Sequence, residues 1–218
     1  MKLSAKLLLI AVSVVTLLAA CGQATPSTPT MTLPDSYLFA DDFTRPNPAW
    51  ARFDTETGAV YALAGELYLE DRGQDTAVYT PLIGRKYADV AIDVSLRHVQ
   101  GTVNNWMGVI CRQQDEMNYY LLAISADGYY LILKVVDGEQ IPIAGPRYSE
   151  AIHLGRAENQ LTAHCNGPGL YLWVNGQRVA AEVDSTFREA GKVGIFADAV
   201  PRGETAIVAV AKFVLTEP

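Results

Sequence analysis

The side chains that could do chemistry in this chain are few, and the carboxylates come first. Asp89 and Asp93 share one phase of an alternating run. Four residues of strand hold them roughly 13 Å apart. A carboxylate pair that cleaves a glycosidic bond sits closer, at roughly 5–5.5 Å or 6.5–9.5 Å. They therefore read as solvated strand charges. Asp115-Glu116, just before Asn118, reads as a turn cap. His98, His153 and His164 are far apart and read as strand or loop residues. Neither an HExxH nor a GxSxG motif occurs, so no catalytic residue is assigned.

Binding chemistry is better supplied. Flat aromatic rings stack on sugar faces, and polar neighbours bind the hydroxyls. The polar phase of the middle strands carries Trp106, Arg112, Tyr119, Tyr130, Lys134, Tyr171 and Trp173. These are the candidate ligand-binding residues, provided their strands share one concave sheet. The other reading stays open, because Tyr and Trp are ordinary sheet residues. Asn118, Tyr119 and Tyr120 read equally well as the stabilised start of a strand. Asp41, Asp42 and Asp184 offer hard oxygen ligands for a structural calcium, though no contiguous calcium loop accompanies them.

Three cysteines have distinct contexts. Lys2 and Lys6 precede an apolar run from Leu7 to Leu18, which ends in Ala19-Ala20-Cys21-Gly22. This is the pattern of a secretory signal with a small-residue cleavage site. It resembles the bacterial lipoprotein signal, which implies lipidation of the Cys21 thiol and membrane attachment through the acyl chains. The run is too short for a stable transmembrane helix. Cys111 and Cys165 remain as an even pair in an oxidising compartment, and a disulfide is expected. Two buried free thiols are the alternative. Residues 22–36, rich in Thr, Pro and Ser, read as a flexible tether lifting a domain off the membrane.

The expected organisation is a signal peptide over 1–20, a lipidated cysteine and tether over 21–36, and one domain over 37–218. The formal charge is -7. Losing Lys2 and Lys6 takes it to about -9. Nucleic-acid binding needs a basic stripe and is excluded on that balance. Anionic lipid would not be held by charge either, so the acyl chains must anchor the protein.

Period-two alternation runs through most of the domain. Val90, Ile92, Val94 and Leu96 alternate with polar residues. Met107, Val109 and Cys111 form the apolar phase of residues 105–113. Further strands are expected over 118–125, 129–136, 139–143, 177–183, 191–197 and 205–215. Leu161, Ala163 and Cys165 mark one more, and Leu170, Leu172 and Val174 another. Asp127-Gly128, Asp137-Gly138 and Asn175-Gly176 are hairpin turns. Many short strands with frequent turns predict an all-β sandwich or barrel.

Several segments carry a resemblance: Asp41-Asp42-Phe43, Gly108-Val109-Ile110-Cys111-Arg112, Ser125-Ala126-Asp127-Gly128-Tyr129-Tyr130, Val174-Asn175-Gly176, Asp184-Ser185-Thr186-Phe187 and Gly191-Lys192-Val193-Gly194-Ile195. Their order resembles the concanavalin A-like lectin/glucanase superfamily, nearest its bacterial laminin-G-like and 3-keto-disaccharide hydrolase-like domains. The resemblance spans residues 38–216. It implies a jelly-roll sandwich of two antiparallel sheets, one concave. Glucanases of the superfamily carry Glu-x-Asp-x-x-Glu or Glu-x-Asp-x-Glu on one strand, and no such run occurs here. The expectation is a lipid-anchored, extracytoplasmic, non-catalytic module for carbohydrate or cell-envelope polymer. A glycoside hydrolase of the same fold and a protein-contacting adhesion domain are the alternatives.

Overall fold

The computed structural model describes residues 37–74 and 77–218. The expected signal peptide, Cys21 and the tether lie outside the described residues.

Among the described residues there is no helix, and fifteen strands form two antiparallel sheets. The first strands are β1 (Tyr37–Asp41), β2 (Phe53–Asp54), β3 (Gly58–Leu63), β4 (Glu66–Asp71) and β5 (Val78–Pro81). They are followed by β6 (Val90–Gly101), β7 (Asn105–Asp115), β8 (Asn118–Ile124), β9 (Tyr129–Val136) and β10 (Glu139–Tyr148). The chain closes with β11 (Asn159–Asn166), β12 (Gly169–Val174), β13 (Gln177–Val183), β14 (Lys192–Ala199) and β15 (Ala206–Thr216). The larger sheet has the order β13-β12-β11-β6-β15-β4-β3-β2. Its long strand β15 pairs with β4 through residues 206–210 and with β1 through residues 213–216. The smaller sheet has the order β10-β9-β8-β7-β14-β5.

The three dipeptide turns fall where the sequence puts them. Asp137-Gly138 and Asn175-Gly176 hold positive φ at both residues, the geometry that matches the twist of paired strands. Strand β10 runs to Tyr148, past the expected end near 143, because its pairing with β9 continues through two register shifts. Strands β1–β5 carry too little alternation to be named from sequence, although Leu67 and Leu69 of β4 are fully buried.

The core lies between the sheets. Ile92 and Leu96 of β6, with Phe213 of β15, face Met107 of β7 and Leu122 of β8. Cys111 of β7 and Cys165 of β11 are joined by a disulfide, with Cα atoms 6.7 Å apart. The bond therefore ties one sheet to the other through the core. At one corner Asp41 accepts from the Trp50 indole Nε1 at 2.8 Å, and Trp50 packs edge-on against Phe213.

Candidate functional site

The smaller sheet is apolar on both faces. On β8, Tyr120, Leu122 and Ile124 point into the core, while Tyr119 and Leu121 point away from it. On β9 the inward residues are Tyr130 and Ile132, and the outward ones are Leu131, Leu133 and Val135. Phe196 of β14, Ile110 of β7 and Tyr79 of β5 complete the outward cluster. Strand alternation alone produces this second apolar layer, since each strand gives every other side chain to it.

This outer face holds a cleft. One depression of about 440 Å³ lies over Tyr79, Tyr119, Val135 and Phe196. A second of about 270 Å³ lies over Trp106, Leu131, Leu133 and Asp198. They share Tyr119, Leu121, Gln140, Phe196 and Arg202, so they are continuous. A third depression, over Tyr79, Gln113 and Glu116, extends the cleft toward the end of β7. From Trp106 to Gln113 the strand spans roughly 20 Å. An arrangement of this length offers stacking surface to an extended ligand and hydrogen bonds at its margins.

One buried acid stands in the cleft. Asp198 points outward from β14, and its carboxylate accepts from Arg202 Nη1 at 2.6 Å. Arg202 Nη1 also stands 3.7 Å from Asp71. Asp71 is fully buried and accepts from the backbone N–H groups of Gly73 and Ala199. Two acids thus share one guanidinium. Burial pushes the Asp198 carboxyl up to about 6, helped by neighbouring Asp71 and opposed by Arg202.

The sequence candidates separate into three places. Trp106 and Tyr119 lie on the cleft face. Arg112 does not. A β-bulge sits there: Gln113 pairs with Lys192 and Ile110 with Gly194, so β7 holds one residue more than β14. Arg112 takes φ 50° at the bulge, its parity flips, and its side chain turns inward with 1% exposure. It donates to the carbonyls of Ala88 at 2.6 Å and Phe187 at 3.0 Å, and to Asp89 at 3.1 Å. Gly191 is required opposite, where a Cβ would overlap the Arg112 carbonyl carbon. The role read for Arg112 is thus corrected from ligand contact to interior strut.

Tyr130 and Lys134 are corrected for another reason. Both phases of β9 are apolar, so the sequence could not say which faces the core. Tyr130 is buried in the core. Lys134 donates to Asp184 at 2.7 Å and to Thr186 at 2.8 Å, sealing the sandwich edge. Tyr171 and Trp173 belong to β12 in the other sheet, on its outer face. There Trp173 lies 4.7 Å from His164 and 6.0 Å from Tyr171, ring to ring. One groove cannot contain all seven residues.

The calcium ligands do not assemble. Asp41 is engaged by Trp50 and by the Phe43 N–H, and Asp42 by Thr44. Asp184 is engaged by Lys134, Tyr120 and Thr186. Burial raises its carboxyl, but those hydrogen bonds outweigh it and hold the group well below the ordinary carboxylate range. The Tyr120 hydroxyl is pushed up to about 12 by burial and by Asp184. Both oxygens of Asp41 and of Asp184 are taken by protein donors, which does not fit calcium ligation, whereas the exposed Asp42 is bonded through Oδ1 alone. Among the described residues no group of three His, Cys, Asp or Glu side chains could hold a metal.

Tyr79, Gln113, Phe196, Asp198 and Arg202 line the cleft but were not among the sequence candidates. Phe196 and Asp198 alternate with the buried Ile195 and Ala197 of β14, and that alternation was the available signal. Gln113 is hidden by the bulge, and Tyr79 by the shortness of β5.

The fold is that of the concanavalin A-like lectins and glucanases, an all-β jelly-roll sandwich. The chain is similar in structure to a β-glucanase of Bacillus licheniformis, at 11% identity and a TM-score of 0.58, over 83% of this chain and 98% of that one. It is similar also to the catalytic domain of an endo-1,3-β-glucanase (laminarinase) of Thermotoga petrophila, at 9% identity and a TM-score of 0.59, over 83% and 97% of the two chains. A sialidase matches at 12% identity and a TM-score of 0.57 over 84% of this chain, which spans 18% of that larger protein. No family model matches the chain, and no curated protein matches it.

Proposed function

We propose that this chain is an exported, lipid-anchored module that binds carbohydrate or cell-envelope polymer without turning it over. The observation that carries the reading is the aromatic cleft of Tyr79, Trp106 and Tyr119 on the outer face of the smaller sheet. Rings on a rigid sheet supply stacking at little entropic cost, and Gln113, Gln140 and Asp198 stand at the margins to meet hydroxyls. The Cys111–Cys165 disulfide fits an oxidising, extracytoplasmic compartment. Lipidation at Cys21, with the following residues as a tether, would place the cleft near a membrane surface. The glucanases of similar fold make a glycan the first ligand class to try.

A second reading is favoured by Asp198. A carboxyl pushed up to about 6 is suited to donate a proton at a glycosidic oxygen. A hydrolase would need a second carboxylate within reach across the bond.

A glycan-array screen of the sandwich, residues 37–218, tests the primary reading. Binding to one glycan class, lost in Trp106→Ala and accompanied by no reducing-sugar release, is the expected result. Sugar release abolished by Asp198→Asn would establish the hydrolase instead. A blank array would exclude both.

A further inference from the structure

Trp106 borders two depressions. One belongs to the cleft described above. The other, of about 400 Å³, lies among Trp106, Ser125, Asp127, Tyr129 and Pro146. Strand register explains how it forms. Met107 pairs with Ile124, and Ile124 with Tyr130. The next residues along, Trp106, Ser125 and Tyr129, therefore make a row across β7, the end of β8 and β9. Each alternates with a core residue, so the row faces outward. Neighbouring strands lie about 4.8 Å apart, which sets the backbones of Trp106 and Tyr129 roughly 10 Å apart. Only a serine stands between them. A group seated over Ser125 comes within reach of both rings, about 6 Å for a cation–π contact. Tyr148 packs edge-on against Tyr129 at 5.8 Å and supports that wall.

Charge decides the occupant. Asp198, beside Trp106 on β14, is held by Arg202 at 2.6 Å. Asp127 is different. Its Oδ1 accepts from Ser125 Oγ, and among the described residues no basic side chain pairs with it. Arg147 follows Pro146 in sequence but does not line the pocket. Asp127 is thus the one charged side chain in the lining. Ser125 is 1% exposed and spends its hydroxyl on Asp127 and on the Tyr129 N–H at 3.1 Å. The pocket presents two ring faces, which are electron-rich, and one carboxylate with no countercharge. Both features attract a cation, and neither attracts a carboxylate or a phosphate.

We infer that this pocket takes an organic ammonium group, seated between Trp106 and Tyr129 with its charge toward Asp127. A quaternary ammonium head and a protonated amino sugar share that chemistry. The inference goes beyond the carbohydrate reading of the cleft and stands on a separate depression. The sandwich closes its core and disulfide within residues 37–218, so that segment serves for the test.

Nuclear magnetic resonance titrations at matched ionic strength read the inference, with the Trp106 indole N–H and the Tyr129 amide as reporters. One arm compares choline with its neutral tert-butyl analogue. The other compares protonated methyl glucosaminide with methyl glucoside. In at least one arm the cation should bind about fivefold or more tightly than its neutral partner. Preference for choline alone assigns a quaternary head, and preference for the glucosaminide alone assigns an amino sugar. Asp127→Asn keeps the acceptor for Ser125 and should remove the preference. Neutral partners that bind as tightly as the cations in both arms overturn the inference, as does no saturable shift with either cation. A preference that survives in Asp127→Asn overturns it as well. All three results leave the carbohydrate reading standing, because the comparison of charged with neutral ligands does not bear on the cleft.

Discussion

Arg112 shows how a single backbone torsion decides what a side chain does. Its neighbours alternate cleanly, and parity places it beside Trp106. A bulge at φ 50° sends it inward to three acceptors. No pattern of residue types announces that bulge, apart from the glycine opposite at 191. Removing one member of a buried ion pair strands the other and typically costs about 3–5 kcal/mol. Asp89 is half exposed, so Arg112→Ala should sit at the lower end, about 3 kcal/mol by chemical denaturation. A variant that keeps full stability but loses ligand would return Arg112 to the binding site.

Asp198 makes the other prediction at this scale. Its folded carboxyl lies at about 6 against an ordinary 3.8. Between those values the folded protein holds a proton that the unfolded chain has released. Its contribution to stability is therefore complete below about pH 4 and is lost as pH rises through about 6. The loss should amount to about 3 kcal/mol. Denaturation midpoints of Asp198→Asn across pH 4–8 should lack that decline, and an unchanged profile would mean that Asp198 titrates as an ordinary acid.

At the scale of elements, legibility followed burial. Strands with one wet face, such as β6 and β11, could be read with their inward residues from alternation alone. Strand β9 could not be oriented, because Leu131, Leu133 and Val135 are as apolar as the core phase. That ambiguity is itself the mark of the cleft, since a strand wet on one side would not carry it. Strands β1–β5 were missed because they are short and carry little alternation; β1 and β5 also pair only with strands distant in sequence, while β2, β3 and β4 pair with their neighbours. The disulfide was legible in part, both cysteines being on apolar phases, and the structure adds that it bridges the sheets. Closing a loop of 54 residues stabilises by roughly 4 kcal/mol on the chain-entropy estimate. Cys111→Ala with Cys165→Ala should lower the free energy of unfolding by about 2–4 kcal/mol in urea titrations. A loss under 1 kcal/mol would show that the core alone holds the sheets together.

For the whole molecule, the sandwich gives two outer faces of different character. The smaller sheet carries the cleft with Trp106 and Tyr119. The larger carries Tyr171, Trp173 and His164 on its outer side. The seven aromatic and cationic residues that look equivalent in sequence are therefore split by the fold into face, interior and opposite face. Which strands share a sheet depends on long-range pairing, and strand periodicity alone holds no information about it. The central claim is that binding belongs to the smaller sheet. Titration of Trp106→Ala and Trp173→Ala against the same glycan ligand tests it most directly. Trp106→Ala should weaken binding at least tenfold, about 1.4 kcal/mol, while Trp173→Ala should leave it within twofold of the unaltered protein. The reverse pattern, with Trp173 essential and Trp106 dispensable, would contradict the claim and move the site to the larger sheet.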